Sequence, residues 1–162
     1  MAQTLRPISQ ISSSGTPSTN AHLVVDGTAP DTGDWWYGAN NANESFEVLM
    51  TDLSGTPPAS GTCRVTIYHA QADSDAGTTA PSSGGTNAAF DLEVRQGTTT
   101  IQSVTGVATN EGSFAAYSTL TFAASSITDW SNVRLWFQSD GSGGAPANRR
   151  AAAVSYMEIS AP

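Results

Sequence analysis

An all-β chain, two antiparallel sheets packed as a sandwich or jelly roll, is what this sequence predicts, and three observations carry the prediction. Apolar and polar residues alternate through several short runs, as in Phe90-Asp91-Leu92-Glu93-Val94-Arg95, which sends one face inward and the other outward. Clusters of Gly, Pro, Asn and Ser separate those runs at short intervals. No stretch of useful length carries the 3.6-residue apolar period of a helix. At 162 residues the chain suits one domain around one sizeable core.

The elements follow in order. Residues 1 to about 20 are polar and broken by Pro7, Gly15 and Pro17, which predicts an extended N-terminal arm outside the core. The sandwich proper then covers residues 21–162. His22 to Asp26 reads as a first short strand. Ser45 to Leu53 is a second, with Phe46, Val48 and Met50 on one face. Gly55-Thr56-Pro57-Pro58-Ala59-Ser60-Gly61 cannot be strand and must be a loop. Thr62 to Ala70 is a third strand, turning Cys63, Val65 and Ile67 inward and Arg64, Thr66 and Tyr68 outward. Gln71 to Asn87 is a long surface loop of Ser, Gly, Asp and Thr.

Ala89 to Gln96 alternates cleanly, with Phe90, Leu92 and Val94 inward; Gly97 supplies the turn and Thr99 to Thr105 returns. Ser113 to Phe122 is a further strand, and Ala123 to Asp129 suits a single helical turn. Asn132 to Ser139 carries Val133, Leu135 and Phe137 inward, residues 140–148 form a glycine-rich hairpin loop, and Ala152 to Ser160 closes the sheet. That makes about eight strands, the count of a two-sheet jelly roll.

Charge narrows the partners. Six basic residues, all Arg, stand against 14 acidic ones, for a net charge of −8. The arginines are scattered, so neither nucleic acid nor an anionic membrane surface is an expected partner. Met1 to Pro7 lacks a basic region followed by an apolar run, so no secretory signal is expected, and no segment approaches the roughly 18 apolar residues of a membrane span. Synthesis in the cytoplasm is the expectation. The lone Cys63 excludes an internal disulfide and makes a structural zinc site improbable.

The chemistry-bearing residues do not converge on a recognisable catalytic pattern. His22 and His69 both fall in expected strands without a nucleophile motif, and His69 continues the inward face of Val65 and Ile67. Cys63 shares that face and reads as an inert buried thiol. Asp91 and Glu93 share a solvent side, where alternating surface charge explains them better than a glycosidase pair. Asp73-Ser74-Asp75-Ala76-Gly77 loosely matches an oxygen-rich calcium loop but lacks the ordered ligand series and closing Glu. No Gly-rich phosphate cradle opens a helix. The expectation is therefore no enzyme, no cofactor and no metal.

The aromatic triplet Trp35-Trp36-Tyr37, set between turn residues, is the most unusual local feature. It either caps an open end of the core or forms a platform for a partner protein or a sugar ring. Alternation places Trp136 outward beside Arg134, where it extends such a platform. Trp35, Trp36, Tyr37 and Trp136 are the candidate partner contacts.

A resemblance adds to this reading. The Phe46-to-Leu53 strand with Gly55-Thr56-Pro57-Pro58, Thr62 to Tyr68, Leu92 to Thr98, Ser126 to Leu135 and the closing Arg150-to-Ser160 strand together resemble a type of tailed-bacteriophage structural protein, over residues 44 to 162. The resemblance implies a virion component, a capsid decoration or cement protein on the outer surface of the major capsid protein shell, with a tail or fibre component as the alternative. A three-fold position on such a shell would favour a trimer. The Leu92-Glu93-Val94 hairpin, strand 113–122 and Met157-Glu158-Ile159 are also similar to carbohydrate-binding jelly-roll modules, which would use Trp35, Trp36 or Trp136 as a sugar platform.

Overall fold

The computed structural model describes residues 3–27, 33–50, 53, 55–73, 80–141 and 149–162. Among them eleven strands form two antiparallel sheets. They are β1 (Gln3–Leu5), β2 (Pro7–Ser13), β3 (Trp36–Tyr37), β4 (Glu44–Met50), β5 (Thr62–Ala72), β6 (Ala89–Gln96), β7 (Thr99–Ala108), β8 (Ala115–Tyr117), β9 (Thr121–Ala123), β10 (Val133–Asp140) and β11 (Ala151–Ala161). One sheet runs β1-β11-β5-β8, with β3 also on β11 and β9 also on β5; the other runs β2-β4-β10-β6-β7.

Alternation explains how the layers meet. Cys63, Val65 and Ile67 of β5 face Phe90, Leu92 and Val94 of β6 and Val133, Leu135 and Phe137 of β10, and all nine are fully buried in one core. Rings form its centre: Phe90 stacks on Phe137 at 5.1 Å, and Trp36 lies 4.7 Å from Phe46 and 5.7 Å from Phe137.

The structure corrects four expectations. Residues 3–13 are extended, yet they do not stand apart from the core: β1 pairs with β11, β2 pairs with β4, and Leu5 is fully buried. A polar, proline-broken segment can serve as the edge of a sheet, where half its backbone groups need no partner. Ala21–Val24 is a 3-10 turn rather than a strand, following Asn20 in a left-handed conformation. Ser113 to Phe122 divides into β8 and β9, both short pieces on the β5 edge. The single helical turn expected over Ala123 to Asp129 is a 3-10 turn at Ala124–Ser126, with a second at Trp130–Asn132 capped by the Asp129 carboxylate. The hairpin loop placed at 140–148 lies almost wholly outside the described residues.

Candidate partner-binding surface

The four aromatic candidates occupy three different environments. Trp36 is fully buried, its indole Nε1 donating to Ser13 Oγ at 3.0 Å, so it is a core residue and no contact site. Trp35 and Tyr37 are half-buried and pack with Ala72, Ala80 and Ala153 on the other side of the same sheet, Trp35 lying 6.2 Å from Phe114. Trp136 belongs to the second sheet and points away from the core between inward Leu135 and Phe137. Trp35 and Tyr37 therefore sit on the opposite outer face from Trp136, and the aromatic candidates form no common platform.

Trp136 is instead the centre of a lattice of its own. On the outward face of β4, β10 and β6, strand register sets Glu47 and Glu93 directly beside Trp136, Leu49 and Arg95 beside Arg134, and Ser45 and Asp91 beside Gln138. The Arg95 guanidinium lies 4.6 Å from the Trp136 ring centroid, in cation–π geometry. The same guanidinium bonds Glu93 at 2.8 Å and faces Glu47 at 3.5 Å. Arg134 faces the second Glu47 oxygen at 3.9 Å and donates to Asn132 Oδ1 at 3.0 and 3.1 Å. Thr100 donates to Glu93 and the Gly106 backbone N–H to Asp91, each at 2.8 Å. Each long side chain is thus held by neighbours on rigid strands, so little rotamer freedom remains to be lost on contact with a partner.

The groups considered for chemistry are engaged elsewhere. His69 is buried against Phe90 at 4.8 Å, and burial lowers its pKa to about 4. The Cys63 thiol is fully buried and pushed up to about 11 by the same desolvation. The side chain of His22 is outside the described residues. Asp73 faces the Arg150 guanidinium at 3.3 Å and accepts from Asn40 at 3.0 Å, a cation-satisfied arrangement; its calcium-loop companion Asp75 lies outside the described residues. Among the described residues no group of three or more His, Cys, Asp or Glu side chains converges on a metal position, and no helix is long and apolar enough to cross a membrane.

A second polar cluster holds the first sheet. Arg6 donates to Tyr156 Oη at 2.9 Å and to the Gly27 carbonyl, and it faces Glu158 at 3.4 Å. Tyr156 donates to Glu158 at 2.5 Å, and burial with this carboxylate raises its pKa. Sequence patterning had not singled out this cluster, because Arg6 stands 150 positions before Tyr156 and 152 before Glu158 and meets them only through the β1–β11 pairing.

These features describe an antiparallel β-sandwich with a pre-ordered Arg–Trp–Glu surface on its five-stranded sheet. No protein-family model matches the chain, and no curated protein matches it. Among solved structures it is similar to the arabinose-bound MgGH51 α-L-arabinofuranosidase, at 14% identity and a TM-score of 0.39, over 98% of this chain and 26% of that one. The chain therefore spans about a quarter of that protein's length, 26%.

Proposed function

We propose that this chain is a non-enzymatic structural module of a virion, a capsid decoration or cement protein that lays the outer face of its five-stranded sheet on the major capsid protein shell. The observation that carries the binding-module reading is the Trp136 lattice. Arg and Trp are the residue types that dominate protein–protein affinity, and here they are pre-ordered together on three adjacent strands. The guanidinium over the Trp136 ring occupies a position that a stacking sugar would need, which favours a protein partner at this face. The burial of His69 and Cys63 supports a role other than catalysis. The capsid assignment itself rests on the sequence resemblance.

The test has two arms. Purified particles should hold the protein in many copies relative to the major capsid protein, because shell symmetry repeats one site. Stripped heads should rebind the wild type and take up Trp136→Ala and Arg95→Ala at least about tenfold more weakly. A few copies per particle would move the protein to the tail or a fibre. Absence from particles together with retention on a polysaccharide column would overturn the reading in favour of sugar binding.

A further inference from the structure

At the end of the sandwich where β4 leaves and β10 begins, an open groove of about 630 Å³ runs between two loops. Leu53, Pro57, Pro58 and Ala59 form one wall. Ile127 and Trp130, both almost fully buried, contribute the apolar floor, and Ser125, Thr128, Asp129 and Ser131 supply the polar side. The groove shares no residue with the Trp136 lattice. Its size falls in the range of roughly 300–1,000 Å³ typical of small-ligand sites.

The polar side is pre-ordered. Gln96 reaches over from β6, its Oε1 accepting from the backbone N–H groups of Thr128 and Asp129 at 2.7 and 2.9 Å, and its Nε2 donating to Thr128 Oγ1 at 3.0 Å. Asp129 Oδ1 accepts from both the N–H and the hydroxyl of Ser131, at 3.1 and 2.6 Å. One carboxylate oxygen is therefore used to fix the side chain while Oδ2 is left as an open acceptor, and the hydroxyl of Ser125 is likewise uncommitted among the described residues.

We infer that this groove binds a neutral saccharide. Among the described lining residues the only charge is Asp129, and the chain carries −8, so an anionic ligand is repelled. The lining is divided between hydroxyl or carboxylate acceptors and Pro, Ile and Trp carbon. That division matches a sugar ring, whose hydroxyl rim seeks acceptors and whose C–H face seeks apolar surface. The inference goes beyond capsid docking and rests on different residues, so either can fail without the other.

The experiment titrates isotope-labelled full-length protein with glucose, galactose, arabinose, maltose and cellobiose, following backbone amide shifts. At least one sugar should give saturable shifts confined to residues 55–59 and 125–131. Ala59→Trp, which fills the groove from an exposed loop, should abolish them. Asp129→Asn keeps an acceptor for Ser131 but converts the open oxygen to a donor, and should weaken binding about tenfold with the amide spectrum otherwise intact. Saturation by none of the sugars overturns the inference, as do shifts that survive Ala59→Trp or that map to Trp136. Saturation of the groove by an arginine-rich peptide with no response to sugars overturns it in favour of a basic peptide site.

Discussion

Trp36 and its neighbour Trp35 are chemically identical, yet Trp36, in the two-residue strand β3, is fully buried in the core, while Trp35, just before that strand, is half-buried on the other side of the sheet. Trp36→Ala should therefore cost about 3–5 kcal/mol, read as a fall in the urea midpoint, whereas Trp35→Ala should cost far less. Equal losses would mean that the two rings share one environment. His69 gives a second residue-scale prediction. Its pKa is about 4 folded against the ordinary 6.5 unfolded, so between these values only the unfolded chain takes the proton. Stability present above pH 6.5 should be lost as the pH falls toward 4, by no more than about 3 kcal/mol. Urea melts at several pH values should show this slope in the wild type and a smaller one in His69→Leu. The inward face of β5 was legible from its spacing, so Cys63 and His69 were placed correctly. Adjacent tryptophans with no run around them offered no period to read, and the inward placement of Trp36 depends on the β3–β11 register that sets it opposite Val154, with Tyr37 opposite Ala153.

At the scale of elements, the strands most legible in the sequence are those whose two faces differ most, β4, β5, β6 and β10. β1 and β2 escaped because an edge strand tolerates proline, serine and bulges that would disqualify an interior one. Their roles are nonetheless structural: Leu5 enters the core, Ser13 accepts from Trp36, and Arg6, at the crossing between the sheets, is anchored on Tyr156. Leu5→Ala should cost about 2–4 kcal/mol, measured by thermal or urea unfolding. Removal of residues 1–13 should produce a markedly destabilised domain, and a truncated protein melting at the wild-type temperature would show that these strands are dispensable. The candidate surface was legible in part. Alternation alone put Trp136 and Arg134 outward, but Arg95 and Glu47 join them only through the β4-β10-β6 order, which no local pattern encodes. The groove was less legible still, since its walls are loops 66 to 78 residues apart in sequence.

For the molecule as a whole, an acidic sandwich with a pre-ordered sheet face suits attachment to a repeated partner. Trp136→Ala should separate attachment from folding: head rebinding falls while the urea midpoint moves little, the lost cation–π contact being worth roughly 0.5–1 kcal/mol at an exposed site. A large fall in the midpoint would make Trp136 a structural residue instead. One further property follows from β1 lying antiparallel to β11, with Gln3 opposite Ala161 and Leu5 opposite Ile159. A tensile load applied between residues 3 and 161 enters the strand pair at a single end. It strains the backbone hydrogen bonds one after another, like a zipper, instead of shearing them together. In single-molecule pulling, β1 should peel first at low force, exposing the β11 edge and releasing Leu5 before the rest of the sandwich yields.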